Sequence, residues 1–108
     1  MQMIREIRFI NLDDEKTCDP DARESRWSRV FGKIEDILDD FNIMPEVATI
    51  IRSGVEMIIS LDRPFSFNES IQVLERLEKI FKVSHFEYET ECEDSDEYPH
   101  VSYAFYEK

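Results

Sequence analysis

The chain has 108 residues and sets 25 Asp and Glu against 13 Lys and Arg, for a formal net charge of −12. That length fits one domain, since a single core takes about 100–200 residues, and a charge of that sign disfavours direct binding of nucleic acid, whose phosphates it repels. Hydrophobic residues make up 42%, with eight Phe, four Tyr and one Trp, so the composition supports a packed core and argues against disorder outside the acidic stretch near residue 95.

Residues 3–10 read as a strand, with Ile7 and Phe9 on one face and Ile4 and Ile10 on the other. The polar segment from Asn11 to Asp21 reads as a loop. Asp19-Pro20 then suits a helix entry, because Asp caps and Pro tolerates a first helical position whose N–H has no partner. Apolar residues at 27, 30, 31, 34, 37, 38 and 41 form a 3.6-residue stripe, so a helix is expected from this entry to Phe41. Phe31 stands at the middle of that stripe, and its truncation is expected to cost about 3–5 kcal/mol.

Asn42 to Pro45 ends the helix. Residues 46–52 and 55–61 are rich in Val, Ile and Thr around Ser53-Gly54, which predicts a β-hairpin. A short helix from Pro45 to Arg52, stopped by Gly54, is the competing assignment. Ser66 and Glu69 form a capping box, and apolar positions 71, 73, 74, 77, 80 and 81 predict a second helix. Residues 83–90 and 100–106 read as strands joined by an acidic loop. The order implies an α+β domain spanning 1–108, with two helices on one face of an antiparallel sheet. It matches a split βαβ, ferredoxin-like arrangement, β-α-β-β-α-β, plus an added C-terminal strand.

The charge is unevenly placed. Residues 34–62 hold seven acids against Arg52 alone, and residues 83–108 hold eight against Lys108, seven of them between Glu87 and Glu97. Strand alternation turns Glu87, Glu89 and Glu91 to one face and Phe86, Tyr88 and Thr90 to the other. Successive carboxylates on that face stand about 6.5–7 Å apart, broadly the interval of phosphates along a nucleic-acid strand. Glu93, Asp94, Asp96, Glu97 and Tyr98 extend this face through the loop. The first helix has Arg23, Arg26, Arg29 and Lys33 early and Asp36, Asp39 and Asp40 late, the reverse of what its dipole prefers. Arg23 with Asp19 and Lys33 with Asp36 are the internal pairings the sequence suggests. That leaves Asp36, Asp39 and Asp40 to join the acidic surface.

Other chemistry finds little support. The loop acids lack the glycine of a calcium-binding loop, and His85, Cys92 and His100 have no zinc spacing. There is no phosphate loop, nucleophile elbow or metalloprotease motif, so no catalytic residue, metal or cofactor is assigned. Cys18 and Cys92 have no disulfide spacing, which fits reduced thiols in a cytoplasmic protein. No apolar run approaches the roughly 18–20 residues of a membrane span.

The sequence therefore points to a protein-binding inhibitor whose acids occupy a basic, nucleic-acid-binding site on a partner such as a nuclease. Anti-CRISPR proteins of phage and immunity proteins against nuclease toxins resemble this chain in size and charge. The alternative is a self-associating α+β module, a possible homodimer, whose acidity serves solubility. An apolar patch formed by Ile4, Ile10, Ile50 and Ile58 on the face opposite the helices would favour it.

Overall fold

Strand β1 (Glu6–Asn11) buries every second residue: Ile7, Phe9 and Asn11 are closed off, while Glu6, Arg8 and Ile10 are half-buried on the opposite face. The computed structural model describes the backbone of residues 4–13, 20–51, 55–89 and 99–107. Helix α1 (Pro20–Asp40) lays Trp27, Val30, Ile34, Ile37 and Leu38 into the core, as the stripe predicts. Phe31 is only partly buried, so the centre of the stripe runs through Val30, Ile34 and Leu38 instead.

The end of α1 is set locally. Asn42 adopts a left-handed φ of 58°, the Asn42 N–H donates to the Asp39 carbonyl at 3.0 Å, and the Ile43 N–H donates to the Leu38 carbonyl at 3.0 Å. These two bonds satisfy carbonyls that a helix end otherwise leaves orphaned. Ile43 then folds back into the core.

Strands β2 (Pro45–Ile51) and β3 (Glu56–Leu61) pair antiparallel, which decides for the hairpin over the short helix. The turn at 52–54 lies outside the described residues. Helix α2 (Phe67–Glu78) begins with both halves of the Ser66–Glu69 capping box in place. It ends earlier than the apolar pattern suggests. A tight turn passes through Lys79 and Ile80, and Phe81 opens strand β4 (Phe81–Glu89) rather than closing the helix. Stacking of the Phe81 ring on Phe105, with centroids 4.5 Å apart, favours the sheet there. Strand β5 (His100–Glu107) completes the set.

The five strands form one mixed sheet in the order β2-β3-β1-β5-β4. A split βαβ would place β4 beside β1, with every neighbour antiparallel and the extra strand outside. Here β5 lies between β1 and β4 and runs parallel to β1, pairing Ile7 with Val101 and Phe9 with Tyr103. Burial explains the exchange. Val101, Tyr103 and Phe105 are closed off on one face of β5, and His100 and Ala104 on the other, so this strand belongs inside the sheet. Strand β4 alternates Glu87 and Glu89 with Phe86 and Tyr88, and an edge leaves those charges in water.

Both helices cover the same face. Their apolar residues share one core with Ile7, Phe9, Ile59, Leu61, Val101, Tyr103 and Phe105. The Phe9 and Tyr103 rings stack at 5.4 Å, and Trp27 meets Phe105 edge-on at 6.3 Å. The buried Tyr103 hydroxyl donates to the Ser70 carbonyl at 2.7 Å, tying β5 to α2, and burial pushes its pKa well above the ordinary phenol value. The expected apolar patch on the opposite face does not assemble. Ile10 and Ile58 lie there, but Ile4 turns into the core, where its carbonyl accepts from the Phe65 N–H at 2.7 Å. Ile50 pairs with Met57 and therefore shares the helix side.

Candidate interaction surface

The uncovered face of the sheet can be read in rows across the strands. One row runs Thr49, Ile58, Arg8, Ser102 and Glu87 from β2 to β4. Glu87 and Glu89 are both exposed on this face, opposite Ser102 and His100, while Phe86 and Tyr88 turn towards the helices. The alternation predicted for this strand is therefore present in β4. With a rise of about 3.3 Å per residue, the two carboxylates stand roughly 6.6 Å apart along the edge. Glu91, Glu93, Asp94, Asp96, Glu97 and Tyr98 lie outside the described residues.

Aromatic packing and a hydrogen-bonded ladder hold β4 in place. On the helix side, Tyr88 meets Phe67 of α2 edge-on with centroids 5.0 Å apart, and Phe86 packs 5.3 Å from Tyr103. Along its inner side the strand is hydrogen-bonded to β5 over its length, with one irregularity between Val83 and His85. The glutamates thus project from a strand that is fixed on the other face.

The acids of α1 occupy a different side of the molecule. Asp36 and Asp39 are exposed on the helix layer, whereas Glu87 and Glu89 project from the opposite face of the sheet. The sequence treats them as one surface, but the sheet separates them. Asp40 is also not a free acid, because it accepts from Arg76 of α2 at 2.6 Å. Both partners are exposed, so this ion pair contributes little to stability, but it neutralises part of the expected patch.

The reversed charge order of α1 has a structural partner that sequence spacing does not show. Arg29 donates to Glu107 of β5 at 2.8 Å across 78 positions. The other Glu107 oxygen accepts from the fully buried Asn11 side chain at 3.3 Å, and the Glu107 N–H donates to Asp13 at 2.8 Å. This small network seals the end of the parallel β1–β5 pair. Lys33 does not pair with Asp36; its ammonium sits over the Phe81 ring, 5.7 Å from the centroid. The side chain of Arg23 lies outside the described residues.

A second ionic cluster joins the two helices. Arg63 donates both ends of its guanidinium to Glu69, at 3.1 and 2.6 Å, and also reaches the Phe41 carbonyl at 2.8 Å. The Arg63 hydrogen bond, supported by bonds from Ser66, holds the Glu69 carboxyl below the usual carboxylate range. The Arg63–Glu69 pair is bidentate, and the bond to the Phe41 carbonyl ties the residue just after α1 to the first turn of α2.

His85 and His100 do not meet. They pair with Ala104 and Glu89 respectively, so four residues of strand, about 13 Å, lie between them. Among the described residues no three His, Cys, Asp or Glu side chains converge on a point that would hold a metal ion. Comparison of the chain with protein-family models, curated proteins and solved structures finds no match. Among the described residues no helix is long and apolar enough to cross a membrane.

Proposed function

We propose that this protein is a small acidic inhibitor that occupies a basic, nucleic-acid-binding site on a partner protein, in a cytoplasmic setting. The observation that carries this reading is the exposure of Glu87 and Glu89 on the uncovered face of an edge strand whose other face packs on Phe67 and Tyr103. The chain continues from that strand into the densest run of acids in the sequence. Clustered carboxylates repel one another and add nothing to folding, so a partner surface lined with Lys and Arg is the natural destination for them. Such grooves are built to hold phosphates. A protein that fills one competes with the nucleic acid, as an anti-defence inhibitor or a nuclease-toxin immunity protein would.

The mechanism is electrostatic. The net charge of −12 speeds encounter with a basic groove, and the carboxylates then replace phosphates in it. A pull-down from host lysate tests this, using the native chain beside a Glu87→Gln, Glu89→Gln variant. Bound proteins are identified by mass, and duplex DNA is added as a competitor. The expected result is a basic nucleic-acid-handling protein held by the native chain, weakened in the variant, and displaced by added salt or DNA. A partner retained equally by the variant and indifferent to DNA would overturn the reading.

A further inference from the structure

Strand β4 closes the sheet at one end, so among the described residues one side of its backbone has no neighbouring strand. An edge of this kind presents a row of open N–H and C=O groups. Its two faces differ in chemistry. On the uncovered face Glu87 and Glu89 are exposed, and among the described residues neither has an ion-pair partner. On the helix face Phe86 and Tyr88 are half-buried, and Phe67 in the first turn of α2 leans on Tyr88 while staying 50% exposed. Helix formation does not require an aromatic there, because Ser66 and Glu69 already supply the cap. Ile71, one turn further along the same side of α2, is also half-buried. Open backbone, exposed ring and exposed carboxylates thus lie side by side.

We infer that β4 takes an extended basic segment of the partner as a sixth strand, paired over His85–Glu89, an inference that rests on the inhibitor reading. The segment alternates Lys or Arg with apolar residues. Directly opposed residues of paired strands share a face, so those opposite Glu87 and Glu89 meet carboxylates and are basic. Those opposite Phe86 and Tyr88 fall on the helix side, where Phe67 offers apolar surface, and are aliphatic or aromatic. Main-chain bonds hold such a strand, and its alternating side chains select it. Charge also decides what is refused. A second copy of this chain, docked on the same edge, would set carboxylates against carboxylates, and like charges directly opposed destabilise a strand pair. The docked segment is short. The ladder with β5 is irregular between Val83 and His85, and Lys82 beyond that point repels a basic residue. Charge and irregularity thus guard the edge against copies of this chain while leaving its acidic half open to a basic strand.

A short peptide alternating Lys and Val tests this on the native chain, beside a peptide of the same composition with its lysines in one block. Calorimetry is expected to show tighter binding of the alternating peptide, weakened about tenfold by Phe67→Ala. Every second N–H of an edge strand points away from its neighbour, so alternate amides of His85–Glu89 are expected to exchange more slowly once that peptide is bound. Two isomers of the peptide, N-methylated on the Lys or on the Val residues, separate a ladder from plain attraction of charge. Only one set of N–H groups faces β4, so one isomer is expected to bind and the other to fail. Isomers that behave alike overturn the inference, as do equal binding of the block peptide and unchanged exchange on β4. Failure of the inhibitor reading looks different. A basic partner held equally by the native chain and Phe67→Ala, but lost by the Glu87→Gln, Glu89→Gln variant, overturns strand addition and leaves that reading standing.

Discussion

Strands β4 and β2 close the same sheet at its two ends and are built on opposite terms. Strand β4 is covered by α2 on one face and presents Glu87 and Glu89 on the other. Strand β2 lies beyond the reach of the helices and exposes aliphatic side chains on both faces. The two edges therefore differ in what they expose, two carboxylates on β4 and aliphatic side chains on β2. Of the seven acids in residues 34–62, only Glu46 lies on β2 itself. Strand β4, packed against α2 from behind, carries Lys82 as well as Glu87 and Glu89 and turns the two carboxylates to the uncovered face.

The sharpest way to test this contrast is to truncate one residue from the interior and one from the apolar edge. Phe105 is fully buried between Trp27 and Phe81 on the strand that tethers β4. Phe105→Ala is expected to cost about 3–5 kcal/mol in urea unfolding. Ile50→Ala, at a position 44% exposed, is expected to cost under about 1 kcal/mol. Similar losses at the two sites would mean that β2 is packed more firmly than its exposure indicates.

An intermediate effect is expected where the two helices are tied together beside these edges. Glu69→Gln removes the charge that Arg63 grips and weakens the α2 cap, at a cost of about 1 kcal/mol near neutral pH. The sign of its pH dependence follows from the lowered carboxyl pKa. As pH falls, the unfolded carboxyl takes up a proton before the folded one does. The stabilisation is therefore complete above the ordinary carboxylate pKa and disappears as the pH drops through the folded value. Native and variant unfolding curves should converge in acid, and a constant gap between them would assign the effect to something other than ionisation.

The smallest effect belongs to the acidic edge itself. Exchanging Glu87 and Glu89 for Gln is expected to shift stability by no more than about 0.5 kcal/mol, since both side chains are exposed. A large loss measured by thermal unfolding would mean that these carboxylates serve the fold, and the contrast between the edges would fail.

What the sequence makes legible is what it encodes locally. The Ser66–Glu69 box, the α1 stripe and the alternation of β4 each depend on residues a few positions apart, and each is present. The antiparallel pairing of β2 and β3 belongs with them, since β-branched residues lie on both sides of Ser53-Gly54 in the sequence. Strand order does not. Whether β4 or β5 lies beside β1 depends on which strand can be buried on both faces, and that comparison involves the whole sheet. The same limit applies to the candidate site. Arg29 finds Glu107 and Asp40 finds Arg76, partners 78 and 36 positions away, where helix spacing offers only neighbours on the same element. The splitting of the acids between two sides of the molecule is likewise a property of the sheet.

The parallel seam between β1 and β5 constrains how the molecule is made. Asn11 and Glu107 touch across 96 positions of chain, so the centre of the sheet joins segments synthesised far apart in time. Strand β4 is attached to the sheet only through β5. Until β5 emerges from the ribosome, β1 has one open side and the acidic hairpin has nothing to pair with. Contacts this distant are slow to form, because a long loop has to be closed before any of them stabilises the chain. The acids of β4 are therefore in place while the sheet is still unclosed. At that stage like charge opposes association between unfinished chains.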